Sequence, residues 1–312
     1  MRKMIKSILN LLHNLFYDEV WKIVYSNHSI ENYLKKDFSD FNFHVLYDIN
    51  VNEFHADPFG WVSPDLKYWV VYEHYYEKNN IGELRIGNVN FSNTSINKVP
   101  EIFWPKKNHL SYPYIYREND NIFLFPESKS ENKQYLITIN SYTGEMISEK
   151  VIIPNISISD PSVIKHNGIY YMFGVTKSND ELFIWYSSSI EGEWKAHKKN
   201  PVKIDSHTSR PGGSIFYSES HLYRVAQDCS PVYGKRLAIM KILILNQNNF
   251  SEKLVKFIEA PDGDFSDGIH TMSHWGDKTL FDLRKWQFNY KRPFRKVYKK
   301  IKKKYNYGNK KS

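Results

Sequence analysis

Four residues in this chain stand directly before a proline and recur at near-constant spacing: Asp57, Tyr112, Asp160 and Arg210. The prolines are Pro58, Pro113, Pro161 and Pro211, at intervals of 55, 48 and 50 residues. A carboxylate before proline has a purely local explanation, since the pair favours extended or turn backbone. Recurrence at matched positions adds a second one: two carboxylates, a guanidinium and a phenol gathered in one place make a polar site. A further set closes the apolar strand that follows, at Glu73, Glu127 and Asp228, with His55 and His270 nearby in their own segments. Glycosyl chemistry asks for such an inventory: a carboxylate to activate or act as the nucleophile, a proton donor for the leaving group, and cations or phenols to orient a sugar. Trp61, Trp104, Tyr112 and Tyr114 offer aromatic faces for sugar rings. Asp57, Glu127 and Asp160 are therefore the catalytic candidates. His55, Trp61, Tyr112, Arg210, Asp228 and His270 are the substrate-binding candidates, Arg210 having a structural pairing with Asp160 or Asp228 as its alternative role.

Other chemistries lack their motifs. No glycine-rich phosphate loop precedes a helix, no His and Cys residues stand at metal-ligand spacing, and no nucleophile elbow is present. The single Cys229 rules out an internal disulfide. No metal ligands are assigned from spacing.

The elements that must position these residues are short strands. KYWVVYEHY, NIFLFPES, GIYYMFGVT and LFIWYSS are apolar, aromatic-rich runs bounded by Asn, Gly, Asp and Ser. Each repeat reads as a polar residue, a proline, an apolar strand, a turn and a second apolar strand: HADPFGWV with YWVVYE, LSYPYIY with IFLFPE, ISDPSVI with IYYMFGV, and TSRPGGSIF with HLYRVAQD. GIHTMSHWGDKTLFD is a fifth, degenerate copy. A period near 50 with about four strands per unit predicts an all-β, five-bladed β-propeller. Innermost strands of a propeller line its central channel, so matched positions converge there. The strand FNFHVLYDI, 41–49, is placed to complete the last blade.

Both ends differ from the body. Ile5, Ile8, Leu9, Leu12, Leu15 and Phe16 form a helical stripe, and residues 1–27 are assigned to an amphipathic N-terminal helix. Of the 43 Lys and Arg, 13 lie in residues 284–312, which carry no Asp or Glu, so the other 30 face 34 acidic side chains. The propeller is thus expected over 28–283, mildly acidic, followed by a basic amphipathic helical tail over 284–312. Such a tail suits an anionic membrane surface better than nucleic acid. Lys6, Asn10, His13 and Asn14 interrupt the first apolar run, so it reads as a retained segment and not a cleaved signal.

HADPF, LSYPYIY with FPES, SDPSVI, SRPGGSIF with RVAQDCS, and GIHTMS resemble the successive motifs of the N-terminal domain of glucosamine inositolphosphorylceramide transferases, over about Val20 to Asp282. More distantly the chain is similar to the five-bladed family 43 and family 32 glycoside hydrolases. The second resemblance implies a base or nucleophile role for Asp57 and a pKa-tuning, substrate-orienting role for Asp160. It also implies an acid from a later blade, where this chain has Arg210 and Asp228, so Glu127 is the substitute. A central divalent metal ion near His270 is implied in the same way.

Together these readings predict a glycosyltransferase of cell-surface polysaccharide or glycolipid assembly, working with a sugar donor and a glycan or glycolipid acceptor. Its expected place is cytoplasmic, peripheral to the inner membrane. The alternatives are a glycoside hydrolase and a non-catalytic glycan-binding or scaffolding propeller.

Overall fold

The computed structural model describes residues 11–46, 53–76, 81–98, 104, 108–230 and 232–297. Each proline-centred repeat folds as an antiparallel unit. The chain opens with β1 (Tyr17–Ser26) and β2 (Phe43–Val45), which belong to the last unit. The first unit is β3 (Glu53–Val62), β4 (Tyr68–Tyr76), β5 (Ile81–Asn90) and β6 (Ser95–Lys98). The second is β7 (Ser111–Glu118), β8 (Asn121–Glu127), β9 (Lys133–Asn140) and β10 (Met146–Pro154). The third runs β11 (Ser159–His166), β12 (Ile169–Val175) and β13 (Glu181–Ser187), with β14 (Lys195–Ala196) and β15 (Lys203–Ile204) both pairing with β13. β16 (Pro211–Ser218), β17 (His221–Asp228), β18 (Arg236–Leu245) and β19 (Phe250–Ile258) make the fourth, and β20 (Gly268–Trp275) with β21 (Lys278–Phe288) begins the fifth. Hydrogen bonding links the fourth and fifth units into one eight-stranded sheet, but only through a parallel pairing at Gly213 and Met272. Gly213 is required there: at φ +139 a Cβ would stand 1.8 Å from the Met272 carbonyl oxygen.

The first strand of every unit carries a register shift at the same place, between Ala56 and Phe59, Ser111 and Tyr114, Ser159 and Ser162, Pro211 and Ile215, and Ile269 and Met272. A bulge of this kind interrupts the ladder and re-aims a side chain. Asp57, Tyr112 and Asp160 sit in these bulges with φ of +50, +43 and +51. Left-handed backbone at a non-glycine residue costs about 1–3 kcal/mol, so the surrounding packing must enforce it. That packing is aromatic: the Phe59 ring lies 5.0 Å from Tyr112 and 5.2 Å from Tyr114 across the first two units. Trp275 of the fifth unit donates its indole N–H to the Trp69 carbonyl of the first at 2.8 Å.

Two boundaries move. Helix at the N-terminus is described only for residues 11–16, and Tyr17–Ser26 is strand, paired with β21 from Tyr17–Phe288 to Ser26–Thr279. The helical stripe ends at Phe16, after which Val20, Trp21, Ile23, Val24 and Tyr25 are aromatic or β-branched and buried, as a central strand demands. At the other end, residues 284–288 belong to β21, and the helical turn spans 292–297. Residues 1–10 and the basic run after 297 lie outside the described residues. So do 47–49, whereas Phe43–Val45 of the same expected strand pairs with β1 at the edge of the fifth unit.

Candidate active site

The bulges open onto a cavity of about 540 Å³, within the usual range of small-molecule sites, ~300–1,000 Å³. Asp57, Glu73, Glu127, Asp160, Arg210 and His270 all line it. They come from all five units, which explains why residues some 50 positions apart converge. Trp21, Phe54, Tyr75 and Tyr233 supply aromatic wall.

At one side a chain of contacts runs Asp282, His270, Asp57. Asp282 is fully buried; Oδ1 accepts the backbone N–H groups of His270 (3.1 Å) and Thr271 (2.9 Å), and Oδ2 accepts that of Asp57 (2.9 Å). Its Oδ2 also lies 2.7 Å from His270 Nδ1, leaving Nε2 facing Asp57 Oδ1 at 3.4 Å. Asp57 accepts the Thr271 hydroxyl at 2.8 Å and the Tyr112 backbone N–H at 3.1 Å. Burial raises the Asp57 carboxyl to about 6, helped by Asp282 and Asp160 and opposed by His270 and the Thr271 hydrogen bond. For His270 burial works downward, but Asp282 and Asp57 outweigh it and the imidazole gains basicity.

Opposite stand Glu127, Asp160 and Arg210. Glu127 Oε2 accepts the Asp160 backbone N–H at 3.2 Å. Asp160 Oδ2 accepts Arg210 Nε and, at 2.7 Å, Gln227 Nε2. Arg210 donates to Asn179 Oδ1 at 2.7 Å and lies over the Tyr233 ring, 4.9 Å from its centre. Burial beside Asp160 raises Glu127 to about 8 even though Arg210 pulls it down. Glu127 is thus raised further than Asp57, the direction of difference that an acid and a base require. Glu73 is pushed well above the usual carboxylate range by burial and by Asp57, Glu127, Asp282 and Asp160. His109 Nδ1 accepts the Gly82 backbone N–H at 2.8 Å, so its proton sits on Nε2, 3.7 Å from Glu73 Oε1.

Residues 46–266 match the family described as glucosamine inositolphosphorylceramide transferase 1, N-terminal. The chain belongs to that family. The Arabidopsis thaliana glucosamine inositolphosphorylceramide transferase 1 is 37% identical over 157 residues, 48% of this chain and 20% of that protein. The match thus spans about a fifth of the length of that relative. Among solved structures, a thermostable family-43 glycoside hydrolase superposes with a TM-score of 0.54 at 15% identity, covering 72% of this chain and 84% of that one. A family-43 β-xylosidase/α-arabinofuranosidase from a compost microbial metagenome also gives 0.54, at 11% identity, with coverage of 76% and 93%. These two likenesses show the fold. His270, Asp282 and the residues of β1 lie outside the segment matched to the family.

Of the residues expected at the site, Asp57, Glu127, Asp160, Arg210 and His270 meet in the cavity. Four do not line it. His55 packs inside the first unit, its ring 5.4 Å from Tyr72 and 4.6 Å from His74. Trp61 is core, stacked 5.5 Å from Trp69 and donating to the Ser141 carbonyl at 2.9 Å. Tyr112 lies beneath the floor: its backbone N–H holds Asp57, and its hydroxyl accepts the Gly213 N–H at 2.7 Å. Asp228 is turned away, paired with Arg236 Nε (2.7 Å) and His207 Nδ1 (2.9 Å). Trp104 and Tyr114 are likewise core residues. At Asp228 the reason is register: a strand end one residue out of phase points to the other face, and Gln227 is the residue that reaches Asp160.

Asp57, His270 and Asp282 place donor atoms within 4.8 Å of one another, the set a divalent ion near His270 would use. They do not fit one. Asp282 already serves three backbone N–H groups and the His270 ring, and both Asp57 oxygens accept hydrogen bonds. A cation would have to displace these donors from Asp282, whose two oxygens already meet four of them, which would leave it only Asp57 and the His270 ring.

Proposed function

We propose that this chain is a carbohydrate-active enzyme that transfers a glycosyl group to an acceptor hydroxyl, its five antiparallel units being the blades of one propeller. The observation carrying this reading is geometric: Asp57 and Glu127, from different units, face one cavity with Asp160, Arg210 and His270, and burial raises Glu127 further than Asp57. Asp57 takes the proton of the acceptor hydroxyl as its oxygen bonds to the anomeric carbon. Glu127 gives a proton to the departing oxygen as the bond between that oxygen and the anomeric carbon breaks. His270, held by Asp282, orients Asp57; Asp160 and Arg210 form a buried ion pair that fixes Glu127. Aromatic wall residues suit the apolar faces of a sugar.

The family relationship supports a glycosyl-transfer context, with a sugar donor and a glycan or glycolipid acceptor. Basic residues after 283 support action at an anionic membrane surface, on the cytoplasmic side where surface-polysaccharide or glycolipid precursors are assembled. Water in place of the acceptor would make the same two carboxyls a hydrolase, and loss of chemistry altogether would leave a glycan-binding propeller. Purified protein incubated with radiolabelled sugar phosphates or sugar nucleotides and lipid extracts tests this. Label in a lipid or glycan product supports transfer; free sugar alone supports hydrolysis; no product from wild type, with sugar binding retained, overturns catalysis.

A further inference from the structure

We propose that Glu73 and His109, beside the stacked rings of Phe54 and Tyr75, form a subsite of the cavity that holds an uncharged sugar by a ring hydroxyl. The proposal rests on the cavity being the substrate site and names the chemistry of the sugar next to Asp57.

Strand alternation puts the aromatic wall and the carboxyl on one face of the first unit. Glu73 stands opposite Ala56 and Tyr75 opposite Phe54 in the β3–β4 ladder, so these four side chains point the same way, while the intervening pair His55 and His74 points to the other face. Phe54 and Tyr75 stack 4.5 Å apart, and both line the cavity with Glu73 and His109. His109 comes from the segment before β7 and is latched to Gly82 at the start of β5. Gly82 donates its N–H to His109 Nδ1 at 2.8 Å and accepts the Leu110 N–H at 3.0 Å. Only a glycine allows this approach: a Cβ at position 82 would stand 2.1 Å from Glu73 Oε1 and 2.7 Å from the Leu110 carbonyl oxygen.

The two polar side chains are thereby held face to face without bonding to each other. His109 Nε2 lies 3.7 Å from Glu73 Oε1, too far for a direct hydrogen bond. Glu73 is only 6% exposed, and among the described residues its carboxyl has no hydrogen-bond partner. An unpartnered buried carboxyl is costly, so the gap suits a ligand atom that bonds to both sides. With Nδ1 taken by Gly82, His109 offers only its Nε2–H, whereas Glu73 can accept. A hydroxyl, donor and acceptor at once, satisfies both. A carboxylate, which only accepts, would be set against Glu73 and Asp57; an ammonium, which only donates, would be set against the His109 N–H. Burial lowers His109 and raises Glu73, so the pair reads a hydroxyl without adding a charge of its own. Phe54 and Tyr75 offer ring faces to the apolar side of the sugar. Ala56, opposite Glu73, directly precedes Asp57, which puts the subsite on the side where the acceptor hydroxyl is deprotonated.

Binding of the full chain to an array of immobilised hexosides, their monodeoxy analogues, hexuronides and hexosaminides tests the subsite. At least one uncharged hexoside is expected to bind, and removal of one particular ring hydroxyl is expected to weaken it roughly tenfold, as is a carboxylate or an amine in place of that hydroxyl. Glu73→Gln keeps the shape, an acceptor and a donor, and is expected to bind within about threefold of wild type, whereas Glu73→Ala is expected to lose roughly tenfold. His109→Phe, at a half-exposed side chain, is expected to lose as much and serves where Glu73→Ala does not fold, melting temperatures being recorded for each. Failure of every uncharged hexoside to bind overturns the proposal. So does equal binding of all monodeoxy analogues, a preference for hexuronides or hexosaminides, or a loss in Glu73→Gln as large as in Glu73→Ala. The transfer assay separates this from the reading it rests on. Sugar binding with this dependence on Glu73, but without product, leaves the subsite standing and removes transfer; product formed by Glu73→Ala and His109→Phe at the wild-type rate overturns the subsite and leaves transfer standing.

Discussion

The backbone N–H of Asp57 donates to Asp282 Oδ2 at 2.9 Å across 225 residues of sequence, joining the first unit to the last. The same logic recurs between neighbours: Glu127 of the second unit holds the Asp160 N–H of the third, and Asp57 of the first holds the Tyr112 N–H of the second. A left-handed bulge withdraws its N–H from the ladder, and in a buried site that group must find an acceptor. Carboxylates of the preceding unit provide it. Site and ring are thus built from the same side chains. Asp282→Ala orphans the N–H groups of Asp57, His270 and Thr271 together and leaves a basic imidazole without its carboxylate. It is expected to cost about 3–5 kcal/mol, measured as a lower denaturant midpoint at unchanged slope.

Glu127 and Asp57 set the two limbs of a pH–rate profile. Activity is expected to rise through about pH 6 as Asp57 ionises and to fall through about pH 8 as Glu127 loses its proton. Glu127→Gln should abolish the alkaline limb and lower kcat by roughly 10²–10⁴-fold, whereas Asp57→Asn should remove product formation. Initial rates between pH 5 and 9 decide this. A Glu127→Gln variant that keeps both the rate and the alkaline limb removes Glu127 from its role.

Stability should run the same way. Folding raises Glu127 from 4.5 to about 8, so between those values the folded chain keeps a proton that the unfolded chain has released. Stability from this group is full below about 4.5 and is lost as pH climbs through 8, at up to about 1.4 kcal/mol per pH unit. Asp57, between 3.8 and about 6, and His270, raised above 6.5, act in the same direction. Glu127→Gln is therefore expected to unfold later than wild type at pH 8 and to show a flatter dependence across pH 5–8, read from denaturant midpoints.

The repeat period and the residue before each proline were legible because a bulge needs the same local sequence each time. Asp57, Asp160 and Arg210 carried that signal, and the GIHTMS copy placed His270 at the matching bulge. The strand-end set was half legible: YWVVYE and IFLFPE announce Glu73 and Glu127 alike, yet HLYRVAQD gives Gln227 to the site and turns Asp228 away. Asp282, at the end of KTLFD, has the same strand-end signal but gains its meaning only from ring closure. Asp18 and the 292–297 turn are illegible from spacing, since their meeting depends on β1 joining β21 and not on any repeat. A stripe of Leu and Ile ending at Phe16 hid the start of that strand.

That closure also decides how the basic end must be tested. Removing residues 284–312 would strip the end of β21, including Arg284, whose Nη1 and Nη2 donate to the Tyr233 and Asp267 carbonyls from a buried position. It would also leave Asp18 buried with neither arginine. Loss of several kcal/mol, and with it any membrane association, would then follow from unfolding. Removing 298–312 instead keeps β21 and the Asp18 pairs with Arg292 and Arg295 while deleting the Lys-rich run Lys299, Lys300, Lys302, Lys303 and Lys304. This shorter deletion is expected to leave the denaturant midpoint unchanged, yet to release the protein from vesicles containing phosphatidylserine. Retention on those vesicles, at physiological salt and in sedimentation alongside the full chain, would place membrane attachment elsewhere than in the basic run.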